Sequence, residues 1–159
     1  MAGRRTLPRR ALLDVGEVAG RFSGRRVYLD TNVFIYLLGA SEKFGPLCLA
    51  LLQACAQRRI LGVTGDVTLA ELLVKPLQSN DAAAVAAVRE LLIDDGCVAL
   101  VSHSRKAFER AAALRAEHGL KMVDALQLAT AQEVGAACLI SNDRQFPALD
   151  GIEVLSLET

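Results

Sequence analysis

Short apolar runs alternate with longer helical patterns along almost the whole chain, and this alternation restricts the fold more than any other feature. The apolar runs have the composition of buried strands and cover residues 27–29, 61–64, 97–101, 137–140 and 152–155. The helical patterns between them cover residues 31–38, 45–59, 67–74, 82–93, 104–118 and 122–134. Strands alternating with helices predict an α/β fold with a parallel sheet covered on both faces. In such sheets ligands bind at the carboxyl ends of the strands.

Two local signals set helix boundaries in the middle of the chain. Pro76 is expected to stop the helix that starts at Val67, because proline interrupts the backbone hydrogen bonds of a helix. The segment Ser79-Asn80-Asp81 is expected to cap a long Ala-rich helix that reaches about Ile93.

The composition is that of one packed domain. The chain has 159 residues, 52% of them hydrophobic, with a mean hydropathy of +0.31. Only 4% of residues are aromatic and Trp is absent, so side chains on which nucleic-acid bases stack are scarce. The core must consist mainly of Ala, Leu and Val.

The four cysteines and two histidines do not have the spacing of a zinc site, since no CxxC pair occurs. We interpret Cys48 and Cys55, seven residues apart on a predicted helix, as small buried core residues. No apolar run approaches the roughly 18 residues of a membrane span, and the basic start lacks the apolar stretch of a signal peptide. We therefore expect a reduced, cytoplasmic location and no membrane contact.

Charge divides the chain into two parts. Residues 1–26 carry seven Arg against two acidic residues, a net charge of +5, and residues 27–159 carry 11 basic against 16 acidic residues, a net charge of −5. We predict a basic N-terminal extension over 1–26, with a weak helix from Ala11 to Phe22, and a main domain over 27–159. The extension either contacts RNA, docks on the body, or is a mobile terminus. Its obvious RNA contacts are Arg4, Arg5, Arg9 and Arg10.

Four acidic residues stand close to predicted strand ends. Asp30 and Asp143 directly follow strands, whereas Glu71 and Asp124 lie in apolar helical segments. Each has an ordinary explanation: Asp30 is a good N-cap, Asp143 belongs to a turn, Asp124 faces a helix dipole, and Glu71 completes a capping box with Thr68.

Together the four acids indicate more than each does alone. If they converge, their charges repel one another, and a divalent cation is the simplest way to offset that repulsion. Mg²⁺ and Mn²⁺ prefer oxygen ligands in octahedral geometry.

Each of the four acids lies in a longer recognisable segment; the segments are VYLDTNVFIYLL (27–38), TLAELLVKPL (68–77), KMVDALQLATA (121–131) and LISNDRQF (139–146). In these segments the chain resembles a known family, the PIN-domain ribonucleases, and within it the toxins of VapBC-type toxin–antitoxin pairs. The segments occur in the family's order, each with its acid, and the similarity spans residues 27 to about 157. The resemblance implies a three-layer α/β/α sandwich and assigns the family's acidic positions to Asp30, Glu71, Asp124 and Asp143.

The resemblance also implies roles. Asp30, Asp124 and Asp143 would hold Mg²⁺ or Mn²⁺, Glu71 would complete the shell or orient the attacking water, and the enzyme would cut RNA. Thr31, Asn32 and Ser141 stand in matching positions and would orient the acids. Apart from the resemblance, Arg144 is the best candidate to bind an RNA phosphate, because it is adjacent to Asp143. Arg105, Lys106 and Arg110 are weaker phosphate candidates. The implied partners are an antitoxin protein and a second copy of the chain.

Two positions depart from the family's pattern: Gln127 stands where many relatives have His, and Gly65 where many have Ser. Neither carries an acid, so the chemistry is unaffected. The alternative function is a PIN fold that binds RNA or protein without cutting, against which the complete acid set argues. Phosphatases of the haloacid-dehalogenase type require a second Asp where this chain has Asn32, and receiver domains require neighbouring acids near the first strand.

Overall fold

The computed structural model describes residues 11–159. The four arginines predicted to contact RNA (Arg4, Arg5, Arg9 and Arg10) lie outside the described residues. The elements, in chain order, are α1 (Val15–Arg21), β1 (Arg26–Leu29), α2 (Thr31–Leu38), α3 (Gly45–Ala56), β2 (Leu61–Gly65), α4 (Asp66–Gln78), α5 (Ala82–Arg89), a π-helical turn (Glu90–Asp94), β3 (Val98–Val101), α6 (Arg105–His118), α7 (Met122–Glu133), β4 (Cys138–Ile140) and β5 (Glu153–Leu155).

The five strands form one parallel sheet in the order β3-β2-β1-β4-β5. The first strand, β1, is the central one. The next two strands, β2 and β3, extend the sheet on one side of β1, and β4 and β5 extend it on the other side. The neighbours β1 and β4 therefore form the point at which the strand order reverses. Ligands bind at the carboxyl ends of the strands beside such a point.

Both faces of the sheet are covered, which confirms the predicted α/β architecture. Val27 and Leu29 of β1 join a core with α1, α2 and α3, whereas Tyr28 between them joins a second core with α6 and α7. In β4, Leu139 likewise belongs to the second core. This alternation follows from the two-residue repeat of a strand. The result is a three-layer α/β/α sandwich.

The described part of the N-terminal extension packs on the body. Val18, Ala19 and Phe22 are buried in the same core as α3. The segment before α1 is also tied to the C-terminus, because the Leu13 N–H donates to the Leu157 carbonyl over 3.0 Å. Of the three alternatives for this extension, docking is the one that these contacts favour for residues 11–26.

Most element boundaries agree with the sequence-based prediction to within a few residues, and three do not. The helix predicted from Ala11 starts at Val15, after its Asp14 cap. The prediction that Pro76 ends its helix is wrong: α4 continues to Gln78 with Pro76 inside it. Proline removes one backbone donor, yet the next turn closes, because the Ser79 N–H and hydroxyl both donate to the Lys75 carbonyl over 3.1 Å. The Ala-rich helix starts after its Asp81 cap as predicted, but ends as a π-helical turn rather than as α-helix.

The cysteines behave as core residues. Cys48, Cys55 and Cys138 are buried and Cys97 is partly buried, and all four are free thiols. Burial raises the pKa of Cys48 to about 11 and that of Cys55 to about 12, so these thiols stay protonated at neutral pH. Within residues 11–159, no helix has both the length and the apolar character that a bilayer span requires.

Candidate functional site

The site lies at the carboxyl edge of the sheet, where β1 and β4 lie side by side. Asp30 follows β1 directly and is the N-cap of α2, while residues 141–143 follow β4. The Asp30 N–H still donates to the Ile140 carbonyl over 3.0 Å, so the parallel pairing runs up to the acid itself. The N-cap role of Asp30 and its position at the strand end therefore coexist.

Asp30 is almost completely buried, with 5% of its surface exposed, and both of its carboxylate oxygens accept hydrogen bonds. Oδ1 accepts from the Thr31 backbone N–H at 2.8 Å. Oδ2 accepts from the Ser141 hydroxyl at 2.6 Å and from Asn32 Nδ2 at 3.3 Å. These donors fix the orientation of the carboxylate.

The loop after β4 is attached to α2 through amide side chains. Asn32 Oδ1 accepts from the Asn142 backbone N–H at 3.3 Å, and Asn142 Nδ2 donates to the Tyr36 hydroxyl at 3.1 Å. The Asp143 backbone N–H donates to Ser141 Oγ at 3.0 Å. This loop therefore holds the second acid, Asp143, beside the first.

Glu71 reaches the site from α4 and accepts a hydrogen bond from the Thr31 hydroxyl at 2.5 Å. The apolar sequence around Glu71 predicts a mostly buried helix, and this prediction is wrong. Glu71 is an exposed residue, and Val74 and Leu77 are 52% and 60% exposed. The reason is that α4 packs with α2 and α5 at one side of the sandwich, so only part of its surface is covered.

Asp124 occupies the first turn of α7 and is partly exposed. Burial raises its pKa above the usual range, and the charges of Asp143 and Asp30 raise it further, whereas Lys121 lowers it. The carboxylates of Asp143 and Asp30 are therefore close enough for their charges to be felt at Asp124.

Asp30 shows the same mutual repulsion. Burial is the main cause that raises its pKa; the hydrogen bonds from Ser141 and Thr31 lower the pKa, and the charges of Glu71 and Asp143 raise it. The structure thus brings all four predicted acids to one edge of the sheet.

Within the described part of the chain, no basic side chain forms an ion pair at this edge. Among residues 11–159, none of the ion pairs involves any of the four acids. Their carboxylate oxygens are hard donors of the type that Mg²⁺ and Mn²⁺ prefer, so the chemistry of the donor set fits such a cation. In the arrangement described for residues 11–159, however, no three Asp, Glu, His or Cys side chains converge closely enough to form a metal-binding group.

Arg144 stands at the rim of this acidic edge. It is exposed and lines a cleft of about 540 Å³ together with Ser141, Asp143 and Phe146. The weaker candidate Arg110 is engaged elsewhere, because its Nε donates to Gln132 Oε1 over 3.2 Å.

A buried layer of polar side chains lies directly behind the acids, and the sequence-based reasoning missed it. Gln127 of α7 and Thr68 of α4 are fully buried, and their side chains are joined by a 2.9 Å hydrogen bond. Tyr28 of β1 donates to Gln127 from the other side. The signal was present, since Gln127 is polar within the apolar stretch 125–131, but its neighbours could not be known before the fold.

Comparison with known proteins adds family information. The sequence model of the PIN domain family matches residues 27–152. Among curated protein sequences, none matches this chain.

Several solved structures are similar to this one. A toxin–antitoxin complex from Klebsiella pneumoniae contains a chain 24% identical in sequence; the match covers 79% of this chain and 94% of that chain, with a TM-score of 0.59. VapBC2 from Rickettsia felis, bound to a DNA fragment from its promoter, is 17% identical over 82% of this chain and 98% of that chain, with a TM-score of 0.61. VapC20 from Mycobacterium tuberculosis, a toxin that cleaves the sarcin–ricin loop, is 16% identical; the match covers 71% of this chain and 86% of that chain, with a TM-score of 0.58. At these identities the likeness concerns the fold.

Proposed function

This chain belongs to the PIN domain family, and from that membership we propose that it is a metal-dependent endoribonuclease, the toxin of a VapBC-type toxin–antitoxin pair. One observation carries the proposal: four acids from four separate elements lie at the carboxyl edge of the sheet, beside the point where the strand order reverses. Negative charge with an exposed arginine, Arg144, beside it is suited to a cation and a phosphodiester.

Asp30, Asp124 and Asp143 are the residues that would hold Mg²⁺ or Mn²⁺. When bound, such an ion lowers the pKa of a water molecule and offsets negative charge on a phosphodiester. Asp30 is already oriented by Ser141 and Asn32, so it can act as a fixed ligand.

Glu71 and Arg144 act on the substrate side. Glu71 is exposed and keeps one carboxylate oxygen on the Thr31 hydroxyl, which leaves the other free to accept a proton from the attacking water. Arg144 is exposed beside Asp143 and can bind a phosphate oxygen of the RNA through its guanidinium group.

The experiment is cleavage of a single-stranded RNA by the purified chain with Mg²⁺ or Mn²⁺, and with EDTA. Activity is expected with metal only, and both Asp30→Ala and Asp124→Asn should abolish it. Arg110→Ala is the matched control, because Arg110 bonds to Gln132 away from the acids. Undiminished cleavage by both acid variants would remove the proposed site.

The partner that we propose is an antitoxin bearing an amphipathic helix with a basic residue. A groove of about 650 Å³ runs between α2, α4 and α5; Ile35 and Leu38 line it with apolar surface and Glu71 with charge. A helix placed there would bury apolar side chains while an Arg reaches the acids. Ile35→Asp should weaken capture of the protein encoded immediately upstream, and unchanged capture would place the partner elsewhere.

Growth effects separate a toxin from an RNA-processing enzyme. Expression of the chain alone should slow growth, while Asp30→Ala should be harmless and the antitoxin should relieve the effect. Harmless expression of an active wild type would favour RNA processing. If RNA is bound but never cut, the alternative of a non-catalytic PIN-fold binding module applies. We also propose a homodimer, which sedimentation analysis can test.

A further inference from the structure

Gln127 lies in the middle of α7 with none of its surface exposed. Its Oε1 accepts a hydrogen bond from the Tyr28 hydroxyl. Its Nε2 donates to Thr68 Oγ1 at 2.9 Å and to Thr31 Oγ1 at 3.1 Å, and lies 3.5 Å from Asp30 Oδ1. One buried amide thus connects the second core with two hydroxyl groups and an acid of the site.

The hydrogen bonds among Thr64, Thr68 and Gln127 have defined donors and acceptors, because the number of available hydroxyl protons is limited. A hydroxyl group has one proton to donate. Thr64 gives its proton to the Leu29 carbonyl at 2.8 Å, so in the 2.9 Å contact between Thr64 and Thr68 the donor must be Thr68. Thr68 then has no proton left and can only accept from Gln127.

The same proton count shows that the Thr31 hydroxyl donates to Glu71. Thr31 Oγ1 accepts an amide proton from Gln127, so its own proton is available to one acceptor. Both the Glu71 carboxylate, at 2.5 Å, and Thr68 Oγ1, at 3.1 Å, lie within reach. The charged carboxylate is the stronger acceptor, so Thr31 donates to Glu71.

A reversed amide would destroy this arrangement. It would place Oε1 of Gln127 against Thr68, which has no proton to give, and against Thr31, whose proton would be drawn away from Glu71. Tyr28 disfavours the reversal, because its hydroxyl donates to Oε1 and would lose this acceptor if the amide were turned round. Burial keeps the pKa of Tyr28 far above its ordinary value, so the phenol remains a donor at all working pH values.

We propose that Gln127 is a positioning residue: its amide donates to Thr68 and Thr31, so that Thr31 donates to Glu71, and the same NH2 group lies 3.5 Å from Asp30 Oδ1, so that both carboxylates are set before RNA or metal arrives. This inference rests on the proposed function and goes further, because it assigns the geometry of the acids to a neutral residue that touches neither substrate nor metal.

The test measures Mn²⁺ binding directly, by the loss of the free Mn²⁺ signal in electron paramagnetic resonance. Gln127→Met keeps the side-chain volume and removes the amide. It should weaken Mn²⁺ binding about 10-fold or more, the usual effect of losing a residue that orients ligands. Gln132→Met is the matched control on the same helix, and it should bind like wild type. Wild-type affinity in Gln127→Met would overturn the proposal.

A double variant separates positioning from simple stability. Gln127→Met leaves the buried Tyr28 hydroxyl without its acceptor, which should lower the melting temperature. Adding Tyr28→Phe removes that hydroxyl and should recover part of the melting temperature, but Mn²⁺ binding should stay weak. If affinity recovers together with the melting temperature, the role of Gln127 is structural and the proposal is wrong. Should Gln127→Met fail to fold, the double variant carries the comparison.

A second readout does not depend on metal. The Thr31 and Thr68 hydroxyl groups are buried, so in wild type their protons should exchange slowly and be visible by NMR. The Thr31 signal should shift or vanish in Gln127→Met and remain in Gln132→Met. If wild type binds no Mn²⁺, the metal role in the proposed function fails, and this signal alone then decides on Gln127: loss supports the positioning role, and an unchanged signal overturns it.

Discussion

The Ser141 hydroxyl donates to Asp30 Oδ2 over 2.6 Å although the two residues are 111 positions apart in the sequence. Asp30 caps the helix after the central strand, and Ser141 follows the strand that pairs with it. This single bond joins the first and last acidic segments of the chain. The stability of variants at Asp30 therefore reports on the contacts that position this carboxylate.

Asp30→Asn should stabilise the metal-free protein. Burial raises the pKa of Asp30, which means that the folded chain disfavours its charged form at pH 7. The neutral amide removes this cost but keeps only one acceptor atom for the donors around Asp30, so the melting temperature should rise by no more than about 2–4 °C, which corresponds to about 1 kcal/mol in a chain of this size. The measurement is thermal unfolding in EDTA.

Asp150→Asn is the matched control, because Asp150 is exposed in the loop before β5. Adding Mn²⁺ should raise the melting temperature of wild type and of this control, but not of Asp30→Asn. A lower melting temperature for Asp30→Asn in EDTA would show that the hydrogen bonds to the carboxylate outweigh its burial.

His103 should make stability depend on pH below neutrality. Its Nε2 accepts from the Val67 N–H at 3.1 Å, at the start of α4, so Nδ1 carries the proton that faces Thr130. Burial lowers the pKa of His103 below its ordinary value of 6.5, against the opposing charge of Asp66. Because the fold prefers the neutral ring, stability should fall as the pH drops through 6.5.

Urea unfolding at pH 7.5 and 5.5 measures this loss. In His103→Gln the amide oxygen can still accept from α4 but does not titrate, so the loss on acidification should be smaller than in wild type. The control is His118→Gln, at the exposed end of α6. Equal losses in wild type and His103→Gln would contradict the prediction.

Gly65→Ala should be destabilising because no space exists for a methyl group. A Cβ atom there would overlap His103 Cε1 and lie 2.6 Å from the Tyr28 hydroxyl oxygen. Forcing an extra carbon into such a place costs about 1–3 kcal/mol. Chemical denaturation measures the loss, and His103→Ala added to Gly65→Ala should restore part of it.

Gly20→Ala is the opposite case and serves as control. No atom lies within 4 Å of the added Cβ, and Gly20 belongs to α1. The change should stabilise by about 0.5–1 kcal/mol through helix propensity. A neutral Gly65→Ala would show that His103 can move aside at little cost.

Removing residues 1–23 should lower stability, because this deletes Val18, Ala19 and Phe22 from the core. Burial of one such large side chain contributes about 1.5–3 kcal/mol, so the loss should exceed about 3 kcal/mol. A shorter deletion removes only residues 1–10. If Arg4, Arg5, Arg9 and Arg10 bind RNA, this shorter deletion should flatten the salt dependence of RNA binding. An unchanged melting temperature for the longer deletion would refute docking.

Local signals were enough to predict the elements and the positions of the acids along them. The junction at Asp30 is the clearest case, because an apolar run ends at a good N-cap and α2 starts at Thr31 as predicted. The helix after Pro76 could not be predicted in the same way, since proline usually ends a helix. Its extra turn depends on Ser79, whose hydroxyl donates to the Lys75 and Pro76 carbonyls. Helix propensities of single residues do not include such a hydrogen bond.

Contacts between distant elements were beyond the sequence. Gln127 meets Tyr28, Thr31 and Thr68, which come from three other parts of the chain. The exposure of Glu71 likewise depends on which neighbours α4 meets. A polar residue in an apolar stretch indicates that it has a polar partner in the fold. The identity of that partner depends on how the strands and helices are arranged.

Because β4 pairs with β1 but follows β2 and β3 in the sequence, the site can form only late in the synthesis of the chain. A chain emerges from the ribosome with its N-terminus first. The strands β1, β2 and β3 can pair with one another while β4, which lies on the other side of β1, has not yet been synthesised. Asp143 and the Ser141 hydroxyl that holds Asp30 come after β4, so the acidic edge stays incomplete until almost all of the chain has been made. The assembly of the acidic edge is therefore one of the last events in the synthesis of the chain.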